Sequence, residues 1–567
     1  MDAHTSTGRR IGAAKSRSGC KTCKIRRVKC DEERPICFRC SSTGRQCEYK
    51  GSRALSLALH TPFASTPGYA LSFSPNTGQR ERRAFEYYFH HVSPHLAGGM
   101  GIDFWTGVVP QICRSEPAVW DAMIAISALF EYPNQCLDFH FLSDRRNKAY
   151  SLSNVQQDAL TWYSRSISSV HSQIQHGRTD PYIVLISCAL FICVETIQGR
   201  MEEALELYRQ GVSLILNLRA QLVHRGVYFE KAALLERNVF PLFLRMGILS
   251  LTISGTQPPS ELLALFKAGI NTGVASVVSA RNNIVVLAAE TMLFEREATL
   301  HLREVGAESA VSAEMVAKKE ALRAQLNEWH QGYTNLCQSN SPSSTEPIHL
   351  EPMLLIYHAA ALICVTGCLR QQETVYDVHF ADFSTIVEHS TVILGDSSGP
   401  NGVQPPFTFE MNVGVPLAVT VLRCRDPGLR RRALDLMRRA PPIQGFFKST
   451  PLAHLAENLM RLEESYSLAS RHGNTMAISR NILDNNDSLG LPVATLQAAL
   501  IPEEARVHDY SIFRPNDYQP PWITEEEIAR FGLGPNQLYL GFSTNQYDVE
   551  TSTWRPNFQC IPLEGYL

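Results

Sequence analysis

The sequence predicts a small module held together by bound metal, followed by a large all-α domain with an irregular C-terminal segment. Two observations lead to this prediction. Six of the 15 cysteines lie between Cys20 and Cys47 at regular spacings. From Gln79 to about residue 470, apolar residues recur at helical intervals. With 567 residues, 44% of them hydrophobic, the chain is long enough to bury a large core beyond the cysteine-rich module.

The six clustered cysteines are spaced C-x2-C-x6-C-x6-C-x2-C-x6-C, a repeat whose halves begin at Cys20 and Cys37. Structural zinc takes four thiolate ligands in a tetrahedron. Six thiolates fill the eight ligand places of two zinc ions only if two of them bridge both metals, and the first cysteine of each half is the natural bridging pair. The spacing therefore predicts a binuclear zinc cluster with two zinc ions per chain. The ligands would be Cys20, Cys23, Cys30, Cys37, Cys40 and Cys47.

A disulfide framework is the alternative use of so many cysteines, and it is typical of secreted proteins. The first 19 residues are polar and basic, without the apolar core of a signal peptide. The other nine cysteines include no CxxC pair, as expected of reduced thiols buried as small apolar side chains. The pattern favours metal binding.

The residues between the ligands indicate what the cluster does. Four of the six positions in 24–29 are Lys or Arg, whereas the equivalent gap 41–46 holds one. We interpret the first gap as a short helix, pinned by metal at both ends, that presents its cations to double-stranded DNA. Arginine pairs with guanine O6 and N7 in the major groove, and lysine holds phosphate. These cations could instead offset the cluster's own charge of −2, but four cations are more than that requires, so DNA contact is the better explanation. The candidate DNA-binding residues are Lys24, Arg26, Arg27 and Lys29.

The runs 18–31 and 34–37 resemble the fungal zinc binuclear-cluster transcription factors, whose module places a helix in the DNA groove. The resemblance implies a regulator of RNA polymerase II promoters that works in the nucleus. It also implies that CGG-type triplets are read mainly through Arg27, that Arg26 assists, and that Lys29 meets phosphate. After the zinc module, the resemblance implies the large helical regulatory domain of the same family.

Charge is divided unevenly along the chain. Residues 1–53 hold 14 Lys or Arg against five Asp or Glu, so this part carries +9, while the remainder carries −11. A basic head suits a polyanion, and a mildly acidic body resists non-specific adhesion to it. The longest apolar run, 182–194, is too short to span a bilayer, so no membrane association is expected.

The sequence divides into five segments. Their predicted bounds are 1–19 for a flexible basic arm, 20–47 for the zinc cluster, 48–78 for a linker, 79–470 for the helical regulatory domain, and 471–567 for an irregular C-terminal segment. The linker is rich in Ser, Thr, Pro and Gly and lacks an apolar heptad, so a coiled-coil dimer is not predicted. Besides DNA, the candidate partners are a second copy of the chain, bound through the helical domain, and the transcription machinery.

Helical patterns continue through the large domain. The first clear one runs from Pro117 to Phe130, with Ser115 as its predicted N-cap. Two further helices, at 159–167 and 204–212, match each other at an offset of 45 residues, which we attribute to helix packing. Later helices are predicted around 229–253, 285–304, 310–336, 351–371 and 410–439, with loops at 338–347 and 395–406.

Two later stretches differ from this pattern. The run 424–434 is similar to an Arg-rich run in the large helical domain of one branch of the same family. We interpret it as a solvated cationic helix face that begins at Asp426 and Pro427. Beyond about Arg471 we expect short strands or loops packed on the helices.

Three groups of residues could suggest an enzyme, and each has a simpler explanation. They are the protease-like run 395–400, expected to be a turn; His90, His91 and His95, expected to be ordinary histidines; and Cys364 with Cys368, expected to be core thiols. No P-loop or dinucleotide-binding glycine pattern occurs. Catalysis is therefore not predicted. The main alternative to a transcription regulator is a helical scaffold or adaptor that the zinc module tethers to nucleic acid.

Overall fold

The chain forms two compact units, Met1–Ser72 and Phe73–Leu567. The predicted arm at 1–19 and nearly all of the predicted linker at 48–78 lie outside the described residues. The computed structural model describes residues 20–32, 37–43, 47, 78–97, 103–133, 153–177, 180–225, 235–252, 274–305, 311–339, 350–399, 402–471, 501–516, 523–535, 537–550 and 553–563.

The first unit contains two very short helices, α1 (Lys21–Ile25) and α2 (Phe38–Ser41), which pack on each other. Cys20 is the N-cap of α1 and Cys37 is the N-cap of α2, so the repeat seen in the sequence is also a repeat of local structure. Among the residues of this unit that the structure describes, the buried core consists of cysteine side chains.

The second unit is mainly helical, because its apolar residues recur along one side of each helix and can be buried together. Its α-helices are α3 (Gln79–Tyr87), α4 (Ser93–Leu96), α5 (Val109–Ile112), α6 (Pro117–Glu131), α7 (Asn154–Gln175), α8 (Pro181–Ile197), α9 (Met201–Arg225), α10 (Phe240–Ser250), α11 (Val277–Val305), α12 (Ala313–Ser339), α13 (Leu350–Gly367), α14 (Phe380–Ser397), α15 (Gly414–Arg423), α16 (Pro427–Arg439), α17 (Ser449–Arg471) and α18 (Glu525–Phe531). Turns of π-helix occur at Tyr88–Val92, Phe104–Val108 and Leu235–Val239, and 3-10 turns at Glu373–His379 and Glu503–Ala505.

The long helices pack in neighbouring pairs. Helix α7 packs on α6, and α9 packs on α8, while α13 contacts α11, α12 and α14. The two segments that match at an offset of 45 residues lie in α7 and α9, each packed on the helix that precedes it. Together with the cysteine-rich module, these helices confirm the predicted fold class.

Several predicted helix ends were wrong. Glu116, not Ser115, is the N-cap of α6, because the Ser115 hydroxyl instead donates to the carbonyl of Ile112 at 3.2 Å. The single helix predicted at 410–439 is two helices, α15 and α16. Pro427 occupies the start of α16, and a proline disfavours helical backbone at the residue before it, so the chain is extended between the two helices. Helix α13 ends at Gly367, short of the predicted 371.

The strands of the described residues are β1 (Phe407–Thr408), β2 (Ile443–Gln444), β3 (Phe447–Lys448), β4 (Val507–Phe513), β5 (Tyr539–Asp548) and β6 (Thr553–Pro562). The C-terminal segment forms an antiparallel sheet with strand order β4-β5-β6, in which β5 and β6 are each ten residues long. Its register pairs Tyr510 with Phe542 and Phe542 with Gln559. Leu540 and Phe542 pack against Leu459 and Leu462 of α17, so the sheet covers an apolar face of the helical body. A second, smaller sheet has the order β1-β2-β3.

Among the described residues, one helical stretch, Val277–Leu302 in α11, is long and apolar enough to cross a membrane by length and composition. Half of its most apolar window is buried inside the fold (50%), and buried core helices pass the same test. The apolar run 182–194 noted in the sequence lies in α8, which is shorter.

The interpretation of 424–434 as a solvated cationic face was wrong, because Arg425 and Arg430 are buried. Their side chains are each 3% exposed and both pair with Glu463 of α17. The Arg425 Nη2 lies 2.6 Å from Glu463 Oε1, and its Nη1 lies 3.1 Å from Glu373 Oε2. Burial alone would raise the pKa of Glu463, but the two guanidinium groups outweigh it and lower that pKa.

The same polar network extends into the C-terminal segment. The backbone N–H of Val507, at the start of β4, donates to Glu463 Oε1 at 2.8 Å. Glu503 accepts from the N–H of Glu373 at 2.8 Å and from the side-chain amide of Asn545 at 2.7 Å. The C-terminal segment is therefore joined to the helical body by buried polar contacts as well as by apolar packing.

Candidate metal centre and nucleic-acid interface

The six clustered cysteines bring their sulfur atoms together. Within each of two groups of four, all sulfur atoms lie within 4.8 Å of one another. The two groups have Cys20 and Cys37 in common, and these two side chains are fully buried. One group is Cys20, Cys23, Cys30 and Cys37, and the other is Cys20, Cys37, Cys40 and Cys47.

The distances between sulfurs suit tetrahedral zinc. A zinc ion with four sulfurs at about 2.3 Å places neighbouring sulfurs about 3.8 Å apart. Cys20 Sγ lies 3.8 Å from Cys37 Sγ and 3.7 Å from Cys40 Sγ, and Cys23 Sγ lies 3.7 Å from Cys37 Sγ. The donor atoms fit zinc in chemical type as well as in spacing.

Backbone N–H groups hold the sulfurs in place, and they do so alike in the two halves. The N–H of Cys20 donates to Cys30 Sγ at 3.4 Å, and the N–H of Cys37 donates to Cys47 Sγ at 3.4 Å. Such bonds favour the thiolate and orient it toward a metal.

The pKa values of these thiols show why the group needs cations. Burial opposes ionisation of Cys20, but hydrogen bonds from the Cys23 backbone and from neighbouring thiols lower its pKa to about 6. Burial and the adjacent Cys20 raise the pKa of Cys23 to about 12, and burial also raises the pKa of Cys37. Six sulfurs this close together can all be ionised only with positive charge among them.

The gap between Cys23 and Cys30 is not the continuous helix that the sequence predicted. Helix α1 begins before the gap and ends within it at Ile25. Arg27 has a φ of +55°, in the left-handed region. Its N–H donates to the carbonyl of Lys24 at 3.2 Å, and the N–H of Val28 donates to that of Cys23 at 3.1 Å. This pair of bonds is the Schellman motif, in which an arginine occupies the position that usually belongs to glycine.

The four candidate DNA-binding residues do not share one environment. Lys24, Arg27 and Lys29 are exposed. Arg26 is half-buried, and its Nη1 donates to Thr43 Oγ1 at 3.2 Å. Three of the four side chains thus face solvent around the end of α1, while Arg26 contacts the second half of the module.

Two further residues support this site without any local signal in the sequence. Asp31 caps α2, since its Oδ2 accepts from the N–H of Phe38 at 2.8 Å and its Oδ1 from that of Arg39 at 3.3 Å. The Thr43 hydroxyl accepts a hydrogen bond from the Arg26 guanidinium. Asp31 does not directly precede α2, and Thr43 lies 17 positions from Arg26, so neither shows a local capping or pairing pattern.

The residue groups considered for catalysis have ordinary surroundings. Cys364 and Cys368 are buried, and burial raises the pKa of Cys368 to about 12. The protease-like run does not form the expected turn throughout, because Ser397 is the last residue of α14 and donates to Gln404 Oε1 at 2.8 Å. His95 stacks on Phe130, with ring centroids 6.2 Å apart.

Two protein families match this chain. Residues 18–56 match the fungal Zn(2)-Cys(6) binuclear cluster domain. Residues 83–457 match the fungal specific transcription factor domain, and this match covers more than half of the chain.

Individual relatives match over shorter stretches. The chain is 28% identical over 269 residues to the aspercryptin biosynthesis cluster-specific transcription regulator atnN of Emericella nidulans, covering 43% of this chain and 41% of the relative. It is 31% identical over 129 residues to the Zn(2)-C6 fungal-type transcription factor afumD of Aspergillus fumigatus, covering 22% and 34%. Over 45 residues it is 56% identical to sterol uptake control protein 2 of Candida albicans, covering 8% and 6%. The matches thus span about two fifths or less of these relatives. No solved structure matches.

Proposed function

Because the chain belongs to the fungal specific transcription factor family and carries its Zn(2)-Cys(6) cluster domain, we propose that it is a nuclear, sequence-specific regulator of RNA polymerase II promoters. In this proposal the six cysteines hold two zinc ions, with Cys20 and Cys37 as the bridging ligands. The bound metal contributes structure rather than chemistry, because every position around a four-coordinate zinc is taken by sulfur.

The observation that supports DNA reading most strongly is the position of Arg27. Arg27 is exposed in the Schellman motif that ends α1, four residues after Cys23. A metal-bound anchor so close in the chain limits the conformations of the arginine, and a guanidinium held in this way can pair with O6 and N7 of a guanine. We therefore propose that Arg27 reads the guanines of a CGG-type triplet.

The neighbouring cations have a different proposed role. Lys24 and Lys29 are exposed on either side of Arg27 in the chain. As flexible point charges, they suit phosphate contacts that fix the register without reading sequence. We assign DNA binding to 20–47 and regulation to the helical domain at 79–470, which would also carry any homodimer interface and contacts with the transcription machinery.

Selection of bound sequences from random DNA by the full-length, zinc-loaded chain tests this proposal. We expect enrichment of a CGG-type triplet, and a second triplet at fixed spacing would indicate a dimer. A pool that remains random, despite measurable binding, would instead identify a scaffold or adaptor that the module tethers to nucleic acid.

A further inference from the structure

We propose that Arg26 is a positioning residue: it orients Arg27 by linking the two halves of the zinc module and does not itself contact DNA. This inference rests on the proposed function, because it concerns how the same module reads its triplet. In the sequence, Arg26 is a candidate DNA-binding residue; here it has a structural role beside the residue that reads DNA.

The contacts of Arg26 run between the two halves. Its Nη1 donates to Thr43 Oγ1 at 3.2 Å and lies 3.4 Å from the carbonyl oxygen of Arg39. The Thr43 hydroxyl in turn donates to the same carbonyl at 2.9 Å. Arg39 lies in α2 and Thr43 lies just after it, whereas Arg26 is the C-cap of α1. One side chain therefore connects the C-terminal ends of the two helices.

The backbone explains why this link bears on Arg27. Arg26 is the C-cap of α1, with φ −76° and ψ −4°, and the next residue, Arg27, has φ +55°. Residues other than glycine rarely adopt that conformation, and they keep it only where the surroundings determine it. Anchoring the Arg26 side chain on the second half fixes the peptide that precedes Arg27. The direction in which the Arg27 side chain leaves the module then follows.

The exposure of the basic residues agrees with this division of roles. Arg26 is half-buried, while Lys24, Arg27 and Lys29 are exposed. The described contacts of the Arg26 guanidinium are to uncharged oxygen atoms of α2 and the residues after it. Arg27 makes no side-chain hydrogen bond or ion pair with the described residues, which leaves its guanidinium available for a base.

A double-mutant cycle on the full-length, zinc-loaded chain tests the proposal. The variants are Arg26→Ala, Thr43→Val, the two combined, and Thr43→Ser, which keeps the hydroxyl and serves as the matched control. For each, binding is measured to the selected triplet and to a scrambled triplet over a range of salt concentrations, with zinc content determined alongside. Arg26→Gln replaces Arg26→Ala if the alanine variant loses zinc.

We expect Arg26→Ala and Thr43→Val each to reduce the preference for the triplet by about tenfold, and the double variant to reduce it no further. Thr43→Ser should resemble the parent, and the salt dependence should be unchanged in all variants. In an Arg27→Ala background, neither change should lower the preference again, because both act through Arg27.

Two results would overturn the inference. One is a salt slope reduced by about one in Arg26→Ala, which is the signature of a lost phosphate contact. The other is an Arg26→Ala effect that persists fully in the Arg27→Ala background. Either result leaves the proposed function standing, whereas a parent protein without any triplet preference would refute the proposed function itself.

Discussion

Arg425 and Glu463 form a buried ion pair, with Arg425 Nη2 2.6 Å from Glu463 Oε1. The same carboxylate also pairs with Arg430 and accepts the backbone N–H of Val507 at 2.8 Å. One carboxylate thus joins the start of α16, helix α17 and the first strand of the C-terminal sheet. Because two buried cations are paired with this carboxylate, the charge of Glu463 should contribute far more to stability than the packing of its side chain.

We expect Glu463→Gln to lower the free energy of unfolding by about 3 kcal/mol, because removing one partner leaves buried charge uncompensated. The neighbouring Glu464 is the matched control. It pairs with Arg431, whose side chain is 30% exposed, so Glu464→Gln should cost about 1 kcal/mol or less. Urea unfolding followed by circular dichroism gives both values. Equal losses in the two variants would contradict this account of the network.

A chain that ends at residue 500 should fail to form a stable helical domain. It lacks Val507 and Glu503, which satisfy buried polar groups of the helical body, and it uncovers Leu459 and Leu462. Limited proteolysis and thermal unfolding measure the effect, and removal of 564–567 alone is the control. If the shortened chain melts at the temperature of the parent, the C-terminal sheet is dispensable.

Removal of zinc should unfold the first unit and leave the second intact. The buried core described for the first unit consists of cysteine side chains, so we expect metal binding to supply the folding free energy of this module. Chelation should make 20–47 sensitive to protease while far-ultraviolet circular dichroism of the helices persists. Native mass spectrometry should find two zinc ions per chain before chelation. One ion per chain, or protection that survives complete zinc removal, would rule out this description.

Arg27→Ala and Lys29→Ala should have different effects on DNA binding. Loss of a bidentate guanine contact should cost about 1–3 kcal/mol at the selected triplet and relax base preference there. Loss of a phosphate contact should weaken binding to all sequences alike and reduce the salt slope by about one. Binding isotherms on a randomised library distinguish the two. Identical behaviour of the variants would show that the assigned roles are wrong.

The helical domain should become less stable as the pH falls from 7 to 5, in part through His358. Burial, reinforced by the nearby His330, lowers the pKa of His358 to about 4. The unfolded chain takes up this proton near pH 6.5, whereas the folded chain takes it up only near pH 4. The free energy of unfolding should therefore fall by about 2 kcal/mol over this interval.

Urea unfolding at the two pH values measures that loss. His358→Gln should reduce the pH dependence, and the same substitution at the exposed His176 is the matched control. An unaltered pH dependence in His358→Gln would exclude His358 as the source.

The cysteine cluster could be predicted from the sequence because its information is local. Metal ligands at fixed spacings leave few alternative arrangements, and the repeat identifies Cys20 and Cys37 as the pair that the two sulfur groups share. The family resemblance, carried by the same short stretch, is confirmed by the match at 18–56. The helical character of the large domain followed equally from local periodicity.

The failures have a different physical origin. Arg425 and Arg430 look like surface cations in the sequence, because the carboxylate that neutralises them, Glu463, lies 38 and 33 residues away. The contact of Arg26 with Thr43 is equally hidden in the sequence, because the two residues belong to different halves of the module. A charge can be buried only where folding brings an oppositely charged partner near. Such partners lie far away in the sequence, so no local pattern predicts them.

Cys20 and Cys37 belong to both groups of sulfurs, whereas the other four cysteines each belong to one. With separate ligand sets, one zinc ion could hold half of the module in shape after loss of the other. Sharing removes that safeguard, since oxidation or alkylation of a single common thiol takes a donor from both halves together. Damage at either of these two sulfur atoms should then disable the proposed DNA-reading surface as a whole.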